Sequence, residues 1–256
     1  MPIRKTGTGC IVAGSEPVRV FMRSSFWREV FLVSGLLVFL TALIALSGAD
    51  LAVSSFFFIK GAWPVGDRFP WKLLYQIDRL PAVLLAVAGL LAAAASLRWP
   101  SWRQWARSGV FLALLLALGP GLLVNTIFKE GWGRPRPREV LQFEGKKIFL
   151  HPWQKGISGQ GRSFPSGHAS AAFYMMSPFF IYRHKNKKRA HAWLAGGVVF
   201  GIFMSIARIS QGGHFLSDTL WSFGMVYLTA LFLAALLKLD QMPTAPTFPA
   251  QKSCST

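Results

Sequence analysis

Six long apolar runs limit what this chain can fold into. They cover about 30–48, 80–97, 109–128, 166–182, 190–207 and 215–237. A helix crossing the hydrocarbon core of a bilayer needs about 20 mostly apolar residues, within a range of about 17–25. The fourth and fifth runs fall at the short end, so their ends must borrow polar residues. In lipid, backbone groups must be satisfied within the segment, which makes helices the expected form. Only 15% of the residues are charged and 52% are hydrophobic, against roughly 25% charged in a soluble domain. The expected fold is an all-α integral membrane protein. Six transmembrane helices form a bundle over 30–239, between cytoplasmic tails at 1–29 and 240–256.

The first run begins at Val30, behind a tail holding Arg4, Lys5, Arg19, Arg23 and Arg28. It is long, and no small-residue cleavage pattern follows closely, so it reads as a retained helix and not a signal peptide. Between the first two runs, 50–79 carries Phe56-Phe57-Phe58, Trp63-Pro64 and Trp71 among scattered charges. Aromatic residues favour the head-group level, so an interfacial helical segment is expected here. An ordinary surface loop is the alternative.

The net charge of +18 suggests anionic partners. Nucleic acid fits poorly, because the basic residues lie between apolar 20-mers. Lipid head groups and phosphorylated substrates fit better. Cys10 and Cys254 form no disulfide framework and no metal-thiolate spacing, so redox compartment cannot be read from them.

Orientation follows from an even number of spans and from loop charge. Arg183 to Arg189 carries five Lys/Arg in a very short loop, and 98–108 carries three. Cations in short loops favour the cytoplasm, so both termini are expected inside. Three polar clusters then emerge together on the opposite, periplasmic face. They are Lys129 to Pro137, Pro165-Ser166-Gly167-His168, and Arg208 to Asp218.

These clusters supply the means to hold and transfer a phosphate. His214 and Asp218 are four apart and share a helical face. A carboxylate there can accept one ring proton and leave the other nitrogen as a nucleophile. Asp218 interrupts an apolar run, where a carboxylate is expensive and by default functional. His168 heads the fourth run, where the amides of Ser166, Gly167 and His168 could face an anion and His168 could protonate a leaving oxygen. Taken alone, Pro-Ser-Gly-His reads equally as a Ser N-cap with an incidental histidine. Lys129, Arg136 and Arg208 would neutralise phosphate oxygens. Snorkelling at a helix end is the alternative for any of these cations, and it is the reading given to Arg134, Arg138, Arg162 and Lys155. His151, His184 and His191 take no role. No HExxH or Cys/His spacing occurs, so no metal and no cofactor is expected. The loop 129–164, with Pro135, Pro137 and Pro152, is irregular and long enough to carry specificity.

Taken in order and spacing, these motifs resemble the signature of the phosphatidic acid phosphatase type 2 superfamily. Six residues separate Lys129 from Arg136-Pro137, Pro165-Ser166-Gly167-His168 follows, and five residues separate Arg208 from His214, with three more between His214 and Asp218. The motifs span about 90 residues. One departure is Ala207, where the family usually has serine, which removes a hydroxyl contact to phosphate. The resemblance implies that His214 attacks phosphorus to form a phosphohistidine, with Asp218 orienting it. It also implies that His168 protonates the leaving group, while Lys129, Arg136, Ser166, Gly167 and Arg208 hold the phosphoryl group. The Gly-Arg-Pro-Arg-Pro run and the basic outer loop resemble the lipid A phosphatase branch. Phosphatidylglycerol phosphate and polyprenyl pyrophosphate are the other substrate types implied. The expected partners are a phosphorylated lipid and the bacterial inner membrane, and the oligomeric state stays open. A phosphotransferase passing phosphate between lipids would use the same residues. A transporter or lipid-binding protein would put charges near the middles of spans, and a vanadate-dependent oxidase is disfavoured by the spans.

Overall fold

The computed structural model describes residues 24–241. The expected cytoplasmic tails lie largely outside these residues. Among them every regular element is helical, with isolated bridges only at Ile59–Ala62 and Val140–Lys147. The helices are α1 (Ser24–Leu46), α2 (Ala49–Phe57), α3 (Trp71–Ile77), α4 (Leu80–Arg98) and α5 (Ala106–Leu116). A π-helical stretch, Ala117–Phe128, continues α5 into α6 (Lys129–Gly131). Then come α7 (Gly167–Phe173), α8 (Pro178–Tyr182), α9 (Lys187–Ser210) and α10 (Leu216–Leu236).

Five helical stretches are long and apolar enough to cross a membrane: Ser25–Leu46, Trp71–Arg98, Pro100–Gly131, Lys187–Ser210 and Leu216–Leu236. Their outer faces carry large exposed apolar side chains, among them Phe31, Phe39, Leu91 and Leu97. An apolar exterior on this scale is what a bilayer covers and water does not. The second stretch starts at Trp71, within the segment expected to lie at the interface.

The fourth apolar run does not form one long helix. It breaks into α7, a 3₁₀ turn at Tyr174–Met176, and α8. Pro178 opens α8 and supplies no amide to the turn before it. Buried residues line α7 from Ala169 to Phe173. The run is thus enclosed by the bundle, where protein and not lipid satisfies its surroundings. Small residues admit it: a Cβ on Gly201 would strike Phe173, and one on Gly197 would strike Met176. The main core joins Phe111 and Leu115 of α5, Tyr174, Phe180 of α8, and Val226 and Leu231 of α10.

The two ends of the bundle differ in chemistry. At one end Arg183 donates to Glu29 at 3.1 Å, and Tyr227 Oη donates to the same carboxylate at 2.7 Å. At the other, α1 leads through Gly48 to Asp50, which meets Arg134 and Ser217. The polar clusters read from the sequence gather at this second end.

Candidate active site

The chain reaches Lys129 through an unusual helix. Pro120 cannot donate a hydrogen bond and its ring crowds the preceding turn. Over Ala117–Phe128 the helix widens to i→i+5 bonding around it. Asn125 Nδ2 donates to the Pro120 carbonyl at 2.6 Å. The Asn125 Oδ1 lies where a Cβ on Gly167 would be. Gly167 therefore lets the start of α7 press against the π-helix that carries Lys129.

Arg134 was expected to snorkel and does the opposite. Its side chain is fully buried and ion-paired with two carboxylates. Nη1 donates to Asp218 Oδ1 at 2.5 Å and to Ser217 Oγ at 2.8 Å. Nη2 donates to Asp50 Oδ2 at 2.8 Å, and Nε donates to the Leu150 carbonyl at 2.8 Å. Asp50 also accepts from the Ser217 amide and hydroxyl. The planar guanidinium can satisfy several acceptors at fixed angles, which an ammonium cannot. The sequence offered one signal for this. In a chain with ten acidic residues, Asp50 and Asp218 each sit at the edge of an apolar run and need a cation.

His214 is fully buried ahead of α10. Its Nδ1 lies 2.6 Å from the Ser163 carbonyl. A carbonyl only accepts, so Nδ1 carries the proton and Nε2 keeps its lone pair. Burial, against an upward pull from Asp218 and with a downward push from Arg208, lowers the imidazole to about 4. The ring is therefore neutral at neutral pH, with its basic nitrogen free.

The expected Asp218–His214 hydrogen bond is replaced. Asp218 Oδ2 is 3.8 Å from Nδ1, because the carboxylate turns back to accept from the Phe215 amide at 2.7 Å and from Ser163 Oγ at 2.6 Å. This is an N3 carboxylate capping its own helix. Ser163 thus links the two, presenting its carbonyl to the ring and its hydroxyl to the carboxylate.

His168 stands in the first turn of α7. Its ring stacks on Tyr75 with centroids 5.2 Å apart, and its Nε2 lies 3.4 Å from Asp78 Oδ2. Ser166 does not turn its amide toward an anion as expected. The amide donates to Ser222 Oγ at 2.9 Å, and the Ser166 hydroxyl accepts from the Ala169 amide as an N-cap. Ser166 is fully buried, and its hydroxyl proton is the donor it has left.

The cations act on one another and on both histidines. Lys129 and Arg208 are buried. Arg208 lies 4.8 Å over the Tyr75 ring and donates to Gln211 Oε1. Arg136 is half-buried, and burial together with Arg138 pushes its guanidinium below its ordinary value. Arg136 and Arg208 both repel Lys129, and Lys129 and Arg208 both act on the two histidines. Among the described residues, the buried side-chain nitrogens without a hydrogen-bond partner are Arg136 Nε, Arg208 Nε, His168 Nδ1 and His214 Nε2. Arg138, Arg162 and Lys155 are exposed, and Arg162 pairs with Glu130. Ala207 is fully buried, and its carbonyl accepts from Ser210 Oγ at 2.9 Å. Among the described residues no group of three or more His, Cys, Asp or Glu gathers to hold a metal ion.

Residues not assigned from the sequence complete the site: Asp50, Tyr75, Asp78, Arg134 and Ser163. Membrane-length helices around a buried cluster of cations and two histidines define a multi-pass membrane protein. The model of the PAP2 superfamily matches residues 110–241, and the chain belongs to that family. It is 42% identical over 130 residues to a lipid A 4'-phosphatase of Francisella tularensis subsp. novicida, a match covering 50% of this chain and 57% of that protein. A lipid A 4'-phosphatase of Rhizobium leguminosarum is 28% identical over 209 residues, covering 73% of this chain and 87% of the relative. The fold is similar to that of a transmembrane PAP2-type phosphatidylglycerolphosphate phosphatase from Bacillus subtilis. The TM-score is 0.51 at 22% identity, over 80% of this chain and 93% of that one.

Proposed function

We propose that the protein is a metal-independent phosphatase that removes phosphate from a membrane lipid through a phosphohistidine on His214. The observation that carries this reading is the set of buried, unpartnered nitrogens of Arg136, Arg208, His168 and His214 beside buried Lys129. Cations packed this closely repel one another, and an anion with several oxygens relieves that repulsion. A phosphate ester suits the set because it accepts from several donors at once.

In the proposed first step the His214 Nε2 lone pair forms a bond to phosphorus. The phosphorus–oxygen ester bond breaks, and its electron pair stays on the leaving oxygen, which takes a proton from His168. Lys129, Arg136 and Arg208, with the Ser166 hydroxyl and the Gly167 backbone, stabilise the charge on the phosphoryl oxygens. In the second step water attacks phosphorus and returns its proton to His168. The nitrogen–phosphorus pair returns to His214, and inorganic phosphate leaves. Asp218 supports His214 through Ser163.

Lipid A is the proposed substrate, on the strength of the Francisella and Rhizobium relatives. The proposed setting is a bacterial inner membrane, with the site toward the periplasm and both termini in the cytoplasm. The domain covers 30–239, with the enclosed α7–α8 run as a sixth crossing and the segment ahead of α4 resting on the outer surface. A panel of lipid A, phosphatidylglycerol phosphate, phosphatidic acid and undecaprenyl pyrophosphate tests this reading. Wild type is expected to release phosphate fastest from lipid A, unaffected by chelators, and His214→Ala to release none. Release by His214→Ala would sink the mechanism.

A further inference from the structure

The family model matches from residue 110 onward, yet a residue ahead of it touches the site. Asp78 closes α3 immediately before α4. Its Oδ2 lies 3.4 Å from His168 Nε2, and the two side chains are 20% and 14% exposed. Tyr75, three residues earlier, stacks on the His168 ring at an interplanar angle of 22°, and the same Tyr75 carries Arg208 on its ring. So α3 holds His168 by a face and an edge. The other ring nitrogen, Nδ1, is buried and meets no protein partner. Arg208, Lys129 and Arg79 all act on His168, so a protonated ring among them needs a carboxylate beside it.

We infer that Asp78 is a positioning residue for the acid. Its carboxylate accepts the Nε2 proton of His168, favours the charged ring once the substrate's anion is in place, and fixes Nδ1 toward the leaving oxygen. The inference rests on the phosphatase reading above. When the ester bond breaks, the Nδ1 proton passes to the leaving oxygen and His168 becomes neutral, still donating Nε2–H to Asp78. The attacking water then returns a proton to Nδ1 as the nitrogen–phosphorus bond on His214 breaks. The 3.4 Å separation is long for a hydrogen bond, and such catalytic contacts tighten when substrate binds. The segment ahead of α4 thereby becomes part of the catalytic apparatus.

The test compares two substrates on one purified full-length preparation. One is a lipid phosphate with an ordinary alcohol leaving group, and the other is an aryl phosphate whose leaving group needs no proton. Asp78→Asn is expected to lose about 10²-fold in kcat on the lipid phosphate, at the lower edge of general acid catalysis, and only a few-fold on the aryl phosphate. Asp78→Glu restores part of the loss. Partial unfolding lowers both rates together and leaves their ratio unchanged. Equal losses on both substrates would mean that Asp78 only holds the fold. No loss, or a gain, on the lipid would mean that the carboxylate merely fills the phosphate position. Either result overturns the inference. Wild type that releases phosphate from neither substrate overturns the phosphatase reading, and this inference with it.

Discussion

Replacing Arg134 leaves two buried carboxylates without their cation. Asp50 and Asp218 both depend on its guanidinium, and removing one partner of a buried ion pair costs about 3–5 kcal/mol. Arg134→Met is expected to lower the unfolding midpoint in detergent by several degrees, and Arg134→Lys to recover little, because a point charge cannot reach all four acceptors. His214 gives a second expectation at this scale. Its folded value lies near 4, below its ordinary 6.5, so between these values the unfolded chain binds the extra proton. Its contribution to stability therefore falls as pH drops from about 6.5 to 4. His214→Asn should flatten that part of the unfolding-against-pH curve relative to wild type. An unchanged slope would show that the ring is not buried neutral.

At the scale of elements, the sequence announces the long helices and hides the broken ones. Apolar length alone identifies α1, α4, α9 and α10. It also suggests a straight helix over 166–182, where Pro178 and the enclosure of α7 produce three short pieces. The histidines and cations were legible from their order and spacing. Asp78 and Tyr75 were not, since nothing along the chain tells that α3 folds back over His168. The π-helix was equally silent, although Pro120 within an apolar run marks the place. Its coupling to α7 can be tested. Gly167→Ala sets a methyl against Asn125, whose amide is tied to Pro120. A displacement of about 1 Å at the site would cost up to about 10²-fold in rate. Gly167→Ala is expected to show a loss of that order, and Gly167→Ala with Asn125→Ala to regain most of it. A double variant no faster than the single one would place the clash elsewhere.

For the whole molecule, the cationic pocket and the Glu29–Arg183–Tyr227 cluster occupy opposite ends of the bundle. In the proposed orientation the basic loop at 183–189 lies at the cytoplasmic end and the cationic cluster faces the periplasm. In a chain with Cys10 and Cys254 replaced, Lys155→Cys should react with an impermeant thiol reagent on intact spheroplasts, and Lys185→Cys only after the membrane is opened. The reverse pattern would turn the protein over. The pocket itself draws on α3, α6, α7, α9 and the start of α10, so its chemistry belongs to the assembled bundle and to no single motif. The most direct measurement is rapid quenching of wild type with a lipid substrate carrying labelled phosphate. Label should appear on the protein as an acid-labile, base-stable phosphohistidine, map to His214, and vanish in His214→Ala. Turnover without labelled protein, or label on any other residue, would contradict the account.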